Sequence, residues 1–215
     1  MKYDTVIFDF GGVITSSPFD AFNRLETQCG VPLHSVRKIN STNPHDNAWA
    51  KFERSEIDAA GFGELFAEEA RAIGVDLDGG EVLACLAGDI RPAMVTMLDT
   101  LKNNDFALGC ITNNVPTGKG SGMAQNEEKA KAIAAIMARF DHVIESSKAG
   151  VRKPDPRIYQ MMCEALDVQP DQCIYLDDLG INCKPAAQLG MAAIKVTSEE
   201  QALKDLHDLL EMPWG

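Results

Sequence analysis

Short apolar runs separated by single amphipathic helices make up most of this chain. Val6-Ile7-Phe8 is apolar without alternation, the pattern of a strand buried on both faces. Phe106-Ala107-Leu108-Gly109-Cys110-Ile111, His142-Val143-Ile144, Cys173-Ile174-Tyr175-Leu176 and Ala193-Ile194-Lys195-Val196 read as further strands. Between them lie helical patterns: Ala93 to Leu101, with Pro92 at a favoured first position, then Glu127 to Met137, Pro156 to Leu166, Asn182 to Leu189 and Glu199 to Leu210. Strands that alternate with single helices predict an α/β architecture, a Rossmann-like parallel sheet with helices on both faces.

Residues 15–90 break the alternation. Pro18 to Gly30 is a helical pattern with Ser17 at a cap position and Gly30 as its stop. A short helix over His34 to Ile39, a polar loop over Asn40 to Asn47, and a helix over Ala48 to Arg54 follow. Ser55 is placed to cap a helix over Ile57 to Ile73, with Phe62, Leu65, Phe66 and Ala70 on one face. Gly79 to Leu86 is a last short helix. This run contains no credible strand, so the pattern predicts a core formed by 1–14 and 91–215 with a small helical subdomain inserted at 15–90. Val115 to Asn126, rich in Gly and Ser around Lys119, reads as a loop.

Composition excludes some functions and leaves others. The chain has 215 residues and a net charge of −12, which opposes sequence-independent nucleic-acid binding and attraction to an anionic membrane. No apolar run approaches membrane length, and the N-terminus enters a strand with no signal-peptide pattern. A cytoplasmic location is the expectation. The six cysteines show no C-x-x-C spacing and the four histidines are scattered, so neither a zinc cage nor a Cys-His pair is suggested. Oligomeric state is left open.

Polar residues gather where the strands end: Asp9, Thr112-Asn113, the stretch from Ser146 to Lys153, and Asp177-Asp178. In a parallel sheet all C-terminal strand ends open on one edge, so these four stretches meet in one crevice. Taken singly, each is ordinary helix-cap, turn or loop chemistry. Together, three carboxylates would repel one another unless a cation lay between them. Oxygen ligands without His or Cys favour Mg²⁺. A metal, the Lys153 ammonium and the Thr112 hydroxyl around a carboxylate suit a dianion attacked by that carboxylate, which is aspartyl-phosphate chemistry.

Phe8-Asp9-Phe10-Gly11-Gly12-Val13, Ile111-Thr112-Asn113, Arg152-Lys153-Pro154-Asp155-Pro156 and Leu176-Asp177-Asp178 resemble the four ordered motifs of the haloacid dehalogenase-like (HAD) hydrolase superfamily, in its helical-cap subgroup. The run from Tyr175 to Ala186 is similar, more closely, to the N-terminal phosphatase domain of soluble epoxide hydrolases. The resemblance implies that Asp9 is the nucleophile and that Mg²⁺ is held by Asp9, the carbonyl of Gly11 and Asp178. It also implies that Asp177 and Asn182 complete or orient that shell. Thr112 and Asn113 would bind the transferring oxygens and Lys153 would offset their charge. The substrate would be a small phosphorylated metabolite, enclosed by residues 15–90 acting as a cap.

One position departs from the family's phosphatases. They carry a second aspartate, a general acid and base, where this chain has Gly11. Two other readings therefore stay open: a metal-independent dehalogenase-type hydrolase, and a catalytically weak phosphate-binding or interaction module. A replacement acid could come from the polar part of the inserted subdomain, at His45, Lys51, Glu53 or Arg54, although a solvated helix or loop surface is the simpler explanation of all four.

Overall fold

Five short strands assemble in the order β3-β2-β1-β4-β5, all parallel, in a computed structural model that describes residues 2–86, 88–113 and 127–211. They are β1 (Thr5–Phe8), β2 (Ala107–Thr112), β3 (His142–Glu145), β4 (Cys173–Asp177) and β5 (Ala192–Lys195). The central strand β1 and its neighbour β4 are buried at every residue. This is why their sequences show no polar alternation: both faces are covered.

Alternate residues of these strands enter two different cores. Val6, Phe8, Leu108, Cys110, Ile174 and Leu176 pack with α6 (Pro92–Asn103), α7 (Glu127–Met137) and α11 (Glu199–Leu210). Ile7, Ile111, Cys173 and Tyr175 pack on the opposite face with α9 (Pro156–Leu166) and Ala186 of α10 (Gly180–Leu189). Gly109 belongs to this second face. A Cβ there would lie 2.8 Å from the Met162 sulfur, so the missing side chain lets α9 approach the sheet.

The insert between β1 and α6 is helical: α1 (Phe19–Gln28), α2 (Ser35–Ser41), α3 (Ala48–Glu53), α4 (Ala59–Ala72) and α5 (Gly79–Ala84). It has its own apolar cluster, in which Trp49 and Phe62 meet edge-on at 4.8 Å and Phe62 stacks on Phe66 at 5.4 Å. The two connections to the sheet run side by side. Thr15 bridges antiparallel to Ile90, Ser16 N–H donates to Asp89 O at 2.7 Å, and Arg91 N–H donates to Ile14 O at 2.9 Å.

Two expected caps do not form. Ser17 precedes α1 but bonds elsewhere, and α4 begins at Ala59 behind Asp58, whose carboxylate accepts from Gly61 N–H at 2.8 Å. Ser55 sits at φ 60° in the turn before it and donates to Ser147 O at 3.2 Å. One short helix, α8 (Ser146–Ala149), occupies part of the polar stretch from Ser146 to Lys153. The loop expected around Lys119 lies outside the described residues.

Candidate active site

Sheet topology puts the candidate residues at one place. From β1 the chain builds outward through β2 to β3, then crosses to the other side of β1 for β4 and β5. The strand order therefore reverses between β1 and β4, and the crevice beyond their C-terminal ends is the usual ligand position in such sheets. The register Phe8↔Leu176 sets Asp9 beside Asp177 across that point.

Asp9 is buried. Its Oδ1 accepts from Phe10 N–H at 2.6 Å and lies 2.8 Å from Lys153 Nζ. The same ammonium, itself 1% exposed, lies 2.8 Å from Asp177 Oδ2. Lys153 thus bridges the ends of β1 and β4. Burial opposes its charge, but Asp177 and Asp9 more than offset this and hold the ammonium above the ordinary lysine value. Burial raises the Asp9 carboxyl well above the carboxylate range, Lys153 draws it back, and Asp177 and Asp178 push it up again.

The two adjacent aspartates have different surroundings. Asp177 is fully buried and accepts from Lys153 Nζ, Tyr175 Oη at 2.5 Å, Leu179 N–H at 2.8 Å and Asn182 Nδ2 at 3.0 Å. With its lone pairs so used, Asp177 is a support for its neighbours. Asp178 accepts from Ser17 Oγ at 3.0 Å and faces Gly12. Burial, and then the charge of Asp177, raise it to about 6.

Asp9, Asp177 and Asp178 each offer a carboxylate oxygen, and these atoms lie within 4.8 Å of one another. Among the described residues, three carboxylates face one ammonium. The value of Asp178 is raised first by its burial and then by the charge of Asp177 beside it. A hard divalent cation fits this donor set, which holds oxygen and neither nitrogen nor sulfur.

The other expected residues are also close by. Thr112 is buried at the end of β2. Asn113 grips the main chain of Lys153, its Oδ1 accepting from the N–H at 2.9 Å and its Nδ2 donating to the carbonyl at 3.1 Å. The second amide hydrogen of Asn113 is not engaged by Lys153. Gly11 has φ −71° and ψ 130°, a conformation any residue adopts, and a Cβ there would meet nothing within 4 Å. The turn depends on Gly12, at φ 79°.

Of the four polar residues considered as replacement acids, Glu53 is the one drawn against the core, in an ion pair of 2.5 Å with Arg152. Arg54 is paired with Glu56, Lys51 with Asp46, and His45 is exposed. Tyr175 and Tyr159 are supporting residues that the sequence pattern did not single out, and Ser17, read there as a helix cap, is a third. Tyr159 Oη donates to Asn182 O at 2.8 Å and its ring meets Tyr175 edge-on at 5.2 Å.

A model of the haloacid dehalogenase-like hydrolases matches residues 3–190. The chain belongs to that family. It is 28% identical over 217 residues to pig bifunctional epoxide hydrolase 2 and 32% identical over 217 residues to mouse acyl-CoA dehydrogenase family member 10. It spans 38% and 20% of those proteins, so they carry further parts that it does not match. A relative of its own size, phosphatase MT3486 of Mycobacterium tuberculosis, is 30% identical over 225 residues, covering 97% of this chain and 96% of that one. In structure, the HAD family enzyme of Bacteroides thetaiotaomicron complexed with magnesium and inorganic phosphate matches with a TM-score of 0.56 at 18% identity, over 89% of this chain and 93% of that one. The five-stranded parallel sheet with a helical insert is the fold of this hydrolase family.

Proposed function

We propose that this HAD hydrolase is a Mg²⁺-dependent phosphatase that cleaves a small phosphate monoester through an aspartyl-phosphate on Asp9. One observation carries the reading: three carboxylates lie within 4.8 Å of one another, with a buried ammonium between two of them. That arrangement is costly to a fold unless a further cation is brought to it. Phosphatases among the relatives support the same choice, as does the neighbour that binds magnesium and phosphate.

Asp9 Oδ1 is anchored by Phe10 N–H and Lys153, which leaves Oδ2 to attack phosphorus. A new Oδ2–P bond forms as the ester P–O bond breaks in line, the leaving oxyanion taking its proton from solvent; water then cleaves the acyl phosphate, releasing inorganic phosphate and restoring Asp9. Lys153 balances charge on the attacking carboxylate and the phosphoryl oxygens, held in place by Asn113 and Asp177. Thr112 and the remaining amide hydrogen of Asn113 donate to those oxygens. Asp9, Asp178 and the Gly11 carbonyl would hold Mg²⁺, which neutralises the dianion when bound. Asp177 and Asn182 orient this set. Residues 15–90 serve as the cap over the substrate, and 1–14 with 91–215 as the hydrolase core.

The same carboxylates weigh against a metal-independent dehalogenase, whose halide leaves without needing an acidic metal platform. The test is turnover of a panel of phosphorylated metabolites with Mg²⁺, alongside Asp9→Asn and chelation. Loss of turnover in both, with an unchanged fold, supports the proposal. Wild-type rates in Asp9→Asn, or halide release that persists in EDTA, would overturn it.

A further inference from the structure

Besides its two connections, the insert touches the core at a patch formed by the end of α3 and the loops around it. Ser146 Oγ donates to the carbonyl of Glu53 at 2.9 Å, and Ser55 Oγ to the carbonyl of Ser147 at 3.2 Å. Arg152 Nη1 donates to Pro44 O at 3.2 Å. At the centre, Arg152 Nε lies 2.5 Å from Glu53 Oε2, with the two side chains 22% and 12% exposed. They meet as charges and not in hydrogen-bond alignment, and neither atom has another hydrogen-bond partner. A largely buried pair of this kind is expensive to separate, because the remaining charge is left uncompensated.

Arg152 directly precedes Lys153. The Lys153 main chain is held on both sides by the Asn113 amide and its ammonium reaches Asp9 and Asp177. A short path therefore runs from the insert to the nucleophile: Glu53, Arg152, Lys153, Asp9. We propose that Glu53 is a positioning residue, which acts through Arg152 to fix the angle of the helical insert against the core and the backbone that carries Lys153. This rests on the phosphatase reading for its kinetic consequence only. The paired connections at Thr15 and Ile90 hold the insert at one place. A second attachment at Glu53 sets the tilt. Lys153 and Arg54 also act on the Glu53 carboxylate, so its charge lies within the field of the site.

The test uses the full chain with Glu53→Gln, Arg152→Gln, the double variant and Glu53→Asp. Amide hydrogen exchange is followed by mass spectrometry, and kcat and KM are measured on p-nitrophenyl phosphate with Mg²⁺. Exchange is expected to rise over residues 146–153 in Glu53→Gln while β1 and β4 keep their protection. The single variants are expected to lose kcat by about 2- to 30-fold, the range for coupling carried through intermediate residues. The double variant loses no more than the worse single, and Glu53→Asp, which keeps the charge, loses less than Glu53→Gln. Unchanged exchange over 146–153, a rise spread over the whole chain, or single losses that multiply in the double variant would each overturn the proposal. If the wild type hydrolyses no phosphate ester, the phosphatase reading fails alone and the exchange pattern still decides the role of Glu53. If Glu53→Gln does not fold, the exchange pattern of Glu53→Asp decides it.

Discussion

Gly12 and Asp178 are packed so closely that a Cβ on the glycine would sit 2.2 Å from the aspartate Oδ2. Gly12 also holds φ 79°, which costs a residue with a side chain about 1–3 kcal/mol. Gly12→Ala must therefore both strain the turn and displace the carboxylate assigned to the metal. A misplacement of this size at a reacting centre costs about 10²-fold in rate. Steady-state assays and calorimetric Mg²⁺ titration of Gly12→Ala are expected to show that loss of kcat together with weaker metal binding. Unchanged binding would remove Asp178 from the metal site.

Gly11 offers the opposite case. Its backbone suits any residue and the space beside it is empty to 4 Å. Gly11→Asp is therefore expected to fold with wild-type stability and to supply the missing acid and base. General acid–base catalysis is worth about 10²–10⁴-fold, and its lack hurts most when the leaving group is basic. The wild-type rate should fall steeply as the leaving-group pKa rises from aryl to alkyl phosphates. The variant should flatten that dependence by gaining most on alkyl phosphates. A wild-type dependence already flat would place an acid elsewhere in the site.

Burial raises the Glu53 carboxyl above its ordinary 4.5, against the opposing pull of Arg152, Lys153 and Arg54. A carboxyl with a higher value folded than unfolded binds protons more tightly when folded, so its ionisation lowers stability between the two values. The stabilisation is fully present below 4.5 and is lost as pH rises through the folded value. Urea unfolding of the wild type and Glu53→Gln from about pH 4 to about pH 8 measures this directly. The difference, wild type minus variant, is expected to fall with rising pH from near 4.5 and then level off. A difference that rises through that window would show the carboxyl to be stabilised in its charged form.

The strands were legible because burial on both faces leaves a continuous apolar run, as in Val6-Ile7-Phe8. The site was legible because Asp9 and Asp177-Asp178 interrupt such runs where the sheet ends. What pattern could not reveal depends on distant partners. Ser17 and Ser55 have the chemistry of helix caps, yet the first donates to Asp178 and the second to Ser147, 161 and 92 residues away. Glu53 lies among Lys51 and Arg54 in a stretch polar enough to read as surface, and only Arg152 from the core draws it inward. Tyr175 reads as one more apolar strand residue. Its hydroxyl, turned along the strand to Asp177, depends on the side-chain alternation that puts both on the α9 face.

Asp177 and Asp178 are adjacent and chemically identical, yet their surroundings differ, and the proposed function gives them opposite tasks. Asp177 takes hydrogen bonds from Lys153, Tyr175, Leu179 and Asn182. In Asp177→Asn an amide NH₂ must face some of those donors, and the Lys153 ammonium loses half of its compensation. Removing one partner of a buried pair costs about 3–5 kcal/mol, so this variant is expected to lose stability of that order in urea unfolding. Among the described residues Asp178 accepts one side-chain hydrogen bond, from Ser17, and burial with the charge of Asp177 raises its carboxyl to about 6. Asp178→Asn relieves that charge, so its stability without metal should equal or exceed that of the wild type, while the rise in melting temperature on adding Mg²⁺ disappears. If Asp177→Asn kept full stability and lost the Mg²⁺ response instead, the two aspartates would have to exchange roles.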